Sequence, residues 1–377
     1  MKVCKEVVLP LGFKASGIYC GIKKAKKLDL ALLYSTIPAK AAGLFTVNKI
    51  PAAPVVFSKN LLRKRKYFRG ILINSGNANS FTGKKGFLDA QSIAVSTARS
   101  LGLKKDDILV SSTGIIGKAL PVGKIKSALP LLVKSLSEKG ISDASRAIMT
   151  TDTFSKKTTV RFKIEEKVFT ICGIAKGAGM IAPNMATLLV FILTDALLPQ
   201  SLLKKSLQGA VEGSFNSITI DGCMSTNDTV LILANGASGK LSASPGNLRI
   251  FQEALNTLCL NLAKMIVKDA EGATKFIEIK VSKAKSYSQA KRTALSIANS
   301  NLFKTALYGE NPNFGRIVSA VGASGIDVAE DRLKIKVSSL KKKYITVSVS
   351  LGKGESNITV YTSDLTPKYI KINAEYN

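Results

Sequence analysis

A threonine set between a glycine-rich turn and an apolar run that a fold would bury can act as a nucleophile. Residues 176–195, KGAGMIAPNMATLLVFILTD, place Thr187 there, just after the helix-unfriendly pair Pro183 and Asn184. The chain contains no histidine. Because histidine is the side chain that titrates near neutrality without help, a Ser-His-Asp or Cys-His device is excluded. If the chain carries out acyl transfer, its base is another group. A free α-amino group titrates at about 7.7–8.0, and cleavage between Ala186 and Thr187 would give one residue both a nucleophilic hydroxyl and a base. Thr187 is therefore read as the nucleophile, made a chain terminus by a cut just before it.

Other stretches could serve such a centre. In ILVSSTGIIGKALP, residues 108–121, a buried strand delivers Thr113 and Gly114 to a turn whose backbone N–H groups can converge, as an oxyanion hole requires. The turn after strand ILIN, residues 71–83, is rich in Asn and Gly; it is a ligand contact or an ordinary tight connection. Thr150 lies in TTDT, either a satisfied hydroxyl turn or a substrate contact. The KGAGM turn lacks the GKS/T ending of a phosphate loop and the GxGxxG spacing of a dinucleotide site, so it is not read as a phosphate cradle. Lys176 on that turn is a solvated lysine or a positive charge for a carboxylate or oxyanion. Glu271, beside Gly272 in a turn before a strand, is a surface acid or a ligand for a cation. Asp221, Ser225, Asn227 and Asp228 fall in 217–236, expected as a strand-turn-strand unit.

The elements that must position these residues alternate along the chain. Short strands are expected at GIYCGI, LDLALLYS, AAGLFTV and APVVFS within 15–58, and a hairpin turning at Glu165 and Glu166. Helices are expected at 88–101, 124–136, 197–212, 247–266 and 287–300, with a Pro-Asn-Phe-Gly turn before Arg316. The C-terminal part reads as strands KIKVSS, YITVSVS and SNITVYT and finishes with YIKINAEYN. The pattern predicts an α/β (α+β) layered sandwich of mixed sheets with helices outside, in two intimately joined halves.

Composition narrows the class. At 377 residues and 46% apolar content the chain can bury a large core. No apolar run reaches membrane-spanning length and the N-terminus lacks a signal-peptide core, which predicts a soluble cytoplasmic protein. Five scattered cysteines without a CxxC indicate neither a disulfide framework nor a metal site. The net charge of +30 is distributed in short lysine runs without aromatic interleaving, so it reads as a solvated surface rather than a nucleic-acid face.

In order along the chain, NSGNAN at 74–79, SSTGIIG at 111–117, TTDT at 150–153, KGAGMIAPNMATLLVFILTDA from Lys176, STNDTV at 225–230, EGATKF at 271–276, NPNFGRI at 311–317 and the tail INAEY closely resemble the ornithine acetyltransferase family, also called bifunctional glutamate N-acetyltransferases. The resemblance implies the self-processing aminopeptidase/ornithine acetyltransferase fold type and cleavage between Ala186 and Thr187. An α chain, 1–186, and a β chain, 187–377, result, assembled as two α and two β chains. It implies ping-pong acetyl transfer from N-acetylornithine to glutamate through an acetyl ester on Thr187, in arginine biosynthesis. Thr113 and Gly114 would form the oxyanion hole; Thr150, Lys176, Thr187, Glu271 and Asn373 would line the substrate site. Acetyl transfer between amines is nearly balanced in free energy, so no metal or nucleotide cofactor is expected, although acetyl-CoA can be a co-substrate. Phe314 stands where the family usually has tryptophan, and Cys223 and Met224 where it usually has polar residues. The family tail usually runs past the Asn373 equivalent to a Ser or Thr that contacts substrate, one position beyond Asn377. The competing readings are a Thr or Ser aminopeptidase of the same superfamily, in which water takes the acyl group, and a basic nucleic-acid-binding protein.

Overall fold

The computed structural model describes residues 1–182 and 188–375. They pack into two compact bodies. The first comprises 1–177, 188–216 and 224–263, and the second 178–182, 217–223 and 264–375. This packing boundary is a different thing from the covalent division expected before Thr187, because the second body takes short segments from either side of that point.

The first body is built on β1 (Lys2–Val3), β2 (Phe13–Ile18), β3 (Leu30–Phe45), β4 (Tyr67–Asn77), β5 (Ile108–Ile115), β6 (Lys156–Ile164), β7 (Lys167–Lys176), β8 (Leu189–Leu197) and β9 (Thr229–Lys240). Among the described residues these form one sheet in the order β1-β6-β7-β8-β9-β3-β4-β5, with β2 paired to β3. The pairs β4–β5 and β8–β9 are parallel, and the others antiparallel. Helices α1 (Ala53–Lys64), α2 (Gly83–Ser100), α3 (Val122–Lys134), α4 (Ile141–Ala147), α5 (Gln200–Glu212) and α6 (Pro245–Lys268) connect the strands. Cys172, Ile174, Phe191 and Leu231 face a core completed by Phe57, Ile93, Leu129 and Ile141 from α1 to α4. On the opposite face Gly173 lies under Leu258 and Leu262 of α6, whose methyl groups would sit 2.8 and 2.9 Å from any Cβ at that position. Burial on both faces is why residues 189–193 read as an unbroken apolar run rather than an alternating one.

In the second body β10 (Phe276–Ala284), β11 (Lys334–Val337), β12 (Tyr344–Ser350) and β13 (Ser356–Ser363) pair in the order β11-β12-β10-β13. Ile277, Ile279, Val347 and Val360 pack against Ala294 and Ile297 of α7 (Tyr287–Ala298), Phe303 of α8 (Asn301–Tyr308) and Ile317 of α9 (Gly315–Gly322). The last described element is α10 (Pro367–Ala374), capped by the Thr366 hydroxyl.

Several expected elements take another form. APVVFS opens helix α1: Pro54 suits a first helical turn, and Pro54, Phe57, Ser58 and Leu61 fall on one buried face. LDLALLYS and AAGLFTV join into the single strand β3, with a shift of register against β4 between Tyr34 and Ala39. In 217–236 only the second strand forms; Ile218 makes an isolated bridge to Tyr361 instead of a ladder. Residues 367–374 of the tail region fold as α10, and α4, α8 and α9 are additional helices.

Candidate active site

Thr113 and Gly114 lie where the parallel strands β4 and β5 end together, with Ser75 opposite Thr113 and Gly76 opposite Gly114. Gly114 has φ 132°, and a Cβ there would fall 2.3 Å from the Gly76 carbonyl carbon. The backbones therefore meet only because Gly114 carries no side chain. Buried amides pin this junction. The Ser112 hydroxyl donates to Asn74 Oδ1 at 2.6 Å. Asn227 Nδ2 donates to the carbonyls of Ala78 at 2.7 Å and Ser112 at 2.8 Å. The two Asn227 bonds satisfy buried backbone carbonyls and fix the peptides around Thr113.

Lys176 ends β7, is buried, and donates from Nζ to Thr113 Oγ1 at 3.2 Å. Its neighbour in the sequence, Gly177, donates its N–H to Asp152 Oδ1 at 2.8 Å. Asp152 Oδ1 also receives Lys156 Nζ at 2.6 Å, and Oδ2 receives the Thr150 N–H at 2.9 Å. Burial pushes the Asp152 carboxyl up, but Lys156, Lys176 and the Gly177 N–H outweigh it and hold the group at about 2. Lys156 and Lys176 thus both favour the charged form of this one carboxylate. The TTDT segment is a tied turn, and Thr150 also borders a cavity of about 530 Å³ with Lys23, Lys27 and Arg146.

In the second body Glu271 and Asn373 meet directly, with Asn373 Nδ2 donating to Glu271 Oε2 at 2.8 Å. The Glu271 N–H donates to the Ala178 carbonyl at 2.8 Å. A Cβ at Gly179 would lie 2.2 Å from Glu271 Oε2, so a side chain there would push the carboxylate from this position. The turn is braced by α10: Thr366 Oγ1 donates to the Gly272 carbonyl at 2.8 Å, and Gly272 adopts φ 67°. Asp221 grips the same loop, accepting the N–H groups of Met180 at 2.6 Å and Ile181 at 3.0 Å. It also accepts the Tyr369 hydroxyl at 3.0 Å. Burial first, and then the Asp221 charge, push that hydroxyl far above the ordinary tyrosine range.

The first body thus gathers Thr113, Gly114 and Lys176, with Thr150 tied through Asp152 to the residue after Lys176. The second gathers Glu271 and Asn373. Ala186 and Thr187 lie outside the described residues; their neighbour Leu188 donates its N–H to Asp228 Oδ1 at 2.8 Å. Asp152, Asn227, Asp221 and Tyr369 are supporting residues to which the sequence reading gave no role in the site. Two of them stand beside hydroxyl and amide clusters in TTDT and STNDTV, which is the signal the sequence offers. Among the described residues no group of three or more His, Cys, Asp or Glu is arranged to hold a metal ion.

The ArgJ family description matches residues 14–377. A curated arginine biosynthesis bifunctional protein ArgJ from Caldanaerobacter subterraneus subsp. tengcongensis is 43% identical over 397 residues, covering 98% of each chain. The protein of the same name from Geobacter sulfurreducens is 44% identical over 388 residues, covering 97% of this chain and 98% of its own. Among solved structures, the arginine biosynthesis bifunctional protein argJ of Bacillus halodurans is 34% identical with a TM-score of 0.47, covering 49% of this chain and 97% of that one.

Proposed function

The chain belongs to the ArgJ family, and from that premise we propose that it is an acetyltransferase of arginine biosynthesis, moving acetyl from N2-acetylornithine to glutamate through an ester on Thr187. The match over residues 14–377 carries this reading, and the buried pair of Lys176 and Thr113 supports it chemically.

After cleavage between Ala186 and Thr187, the Thr187 hydroxyl attacks the acetyl carbon and its proton passes to the Thr187 α-amino group. Negative charge collects on the acetyl oxygen, where Thr113 and Gly114 supply donors and Lys176 a nearby positive charge. Collapse breaks the amide C–N bond, and ornithine leaves with the proton. Glutamate then attacks the ester through its amine by the reverse sequence, giving N-acetylglutamate and restoring the hydroxyl. Glu271 receives the side-chain ammonium of ornithine, and Asn373 and Thr150 complete the substrate site. No metal or nucleotide enters this cycle.

Acetyl-CoA is a second donor to be tested. Acetylglutamate formed from acetyl-CoA and glutamate marks a bifunctional enzyme, and its absence a monofunctional one. The enzyme is proposed to work in the cytoplasm as two α and two β chains, an assembly that light scattering on the eluted protein measures; among the described residues no helix is long and apolar enough to cross a membrane. Product analysis tests the reaction itself. Ornithine and N-acetylglutamate should appear in equal amounts from acetylornithine and glutamate; free acetate without acetylglutamate would make the protein a hydrolase.

A further inference from the structure

Four cationic side chains, Lys23, Lys26, Lys27 and Arg146, line the cavity of about 530 Å³ that Thr150 borders, and one carboxylate, Asp152, stands among them. That carboxylate already receives Lys156 Nζ and the N–H groups of Thr150 and Gly177. Outside the wall, Asp143 pairs with Arg146. Lys26 and Lys27 are exposed and make no ion pair or side-chain hydrogen bond among the described residues.

Lys23 is held differently. Its Nζ donates to the carbonyls of Leu28 and Met149, both at 2.7 Å, which leaves the third of its N–H donors without a partner among the described residues. Burial lowers its ammonium to about 8; the charges of Asp29 and Asp152 resist this, and those of Lys176 and Lys27 add to it. Lys23 therefore stands close enough to Lys176 to feel its charge. The same wall carries Phe154, which is 41% exposed and has Lys156 Nζ at 4.9 Å from its ring centroid. An exposed flat ring beside a group of cations offers a nucleotide both of the contacts it uses, charge for its phosphates and a face for its base.

We propose that this cavity binds the phosphate-bearing nucleotide end of coenzyme A, its phosphates on Lys23, Lys26 and Lys27 and its adenine against Phe154. The proposal rests on the reading of acetyl-CoA as a second donor. A lone carboxylate or phosphate fills only part of a space that could hold several waters, whereas a diphosphate, a 3′-phosphate and an adenine together use the volume, the cations and the ring. Lysines suit this task because they meet phosphate as mobile point charges, without the fixed fork of arginine. The location suits the reaction as well: Thr150 in the wall is tied through Asp152 to Gly177, so the arm bearing the acetyl thioester starts beside Lys176.

Calorimetric binding of coenzyme A to the purified protein at about 50 mM salt tests the site, where exposed charges are weakly screened. Wild type is compared with Lys26→Glu/Lys27→Glu and with Phe154→Leu, alongside melting temperature and kcat and KM for N-acetylornithine and glutamate. The charge reversal should weaken coenzyme A binding by roughly tenfold or more, and Phe154→Leu by about threefold or more, with N-acetylornithine kinetics and melting temperature near wild type. Inorganic diphosphate should compete at least about tenfold less well than adenosine 3′,5′-bisphosphate. No binding by wild type, wild-type affinity in either variant, or equal competition by inorganic diphosphate overturns the proposal. A raised KM for glutamate with unchanged coenzyme A affinity also overturns it, giving the cavity to the acceptor's carboxylate. Failure of the donor reading looks different: coenzyme A would bind here and lose affinity in both variants, yet acetyl-CoA and glutamate would give no acetylglutamate.

Discussion

Gly114 and Glu271 carry their roles in opposite ways, one by lacking a side chain and the other by placing a charge. An alanine at Gly114 would put a methyl group 2.3 Å from the Gly76 carbonyl carbon at φ 132°. Gly114→Ala should therefore destabilise the protein by more than about 2 kcal/mol in denaturant unfolding; an unchanged midpoint would show that the two strand ends can part. Glu271→Gln keeps an acceptor for Asn373 and removes the charge that meets a substrate ammonium. Self-cleavage should be intact and kcat/KM for N-acetylornithine lower by roughly 10- to 100-fold; unchanged kinetics would make Glu271 a surface acid. Thr187→Ala should remain one uncut, folded and inactive chain, and acetyl transfer by that variant would place the nucleophile elsewhere. Thr113, Gly114, Lys176 and Glu271 were singled out through the ordered motifs SSTGIIG, KGAGM and EGATKF, because residue type alone left each open between a structural and a chemical role. Asp152, Asp221 and Asn227 were given no such role, since their work is to hold backbone groups distant in the chain. Asn227 reaches the carbonyls of Ala78 and Ser112, and a residue type does not disclose such partners.

At the level of elements, the ends of β7, β8 and β9 are held in line by register, and the turn carrying Asp152 ties Thr150 to the residue after Lys176. Asp152 gives this turn an acid sensitivity with a definite sign. Its folded value, about 2, lies below its ordinary one, so its contribution is complete above about pH 4 and fades as pH falls towards 2. The stability difference between wild type and Asp152→Asn should shrink by on the order of 2 kcal/mol across that window; a constant difference in urea unfolding would remove Asp152 from the acid response. Strand β5 and the β6–β7 hairpin could be read directly, because apolar runs and turn residues coincide there. APVVFS misled because two adjacent valines favour a strand locally, while the long-range packing of Phe57 and Leu61 selects a helix. SITI failed as a strand for the converse reason: Ile218 finds only the single bridge to Tyr361.

Across the whole molecule, a charge of +30 coexists with a chemistry that needs only a few buried cations. Lys156 and Lys176 are inside, and many other lysines lie on exposed surface. A diffuse surface charge predicts no tight complex with duplex DNA in a polarisation titration at about 150 mM salt; saturable binding there would give the charge a function of its own. Layered sheets and helices were foreseeable from the alternation of elements, whereas the way the chain is shared between the two packing bodies was not, because 217–223 joins the second body through contacts remote in sequence. The central claim is that Thr187 becomes a chain terminus and then an acetyl carrier. Mass spectrometry of the purified protein, incubated with N-acetylornithine alone, tests it most directly. Two fragments are predicted, divided between Ala186 and Thr187, with one acetyl group on the fragment that begins at Thr187; an intact chain that still transfers acetyl, or an acetyl group on another residue, would contradict it.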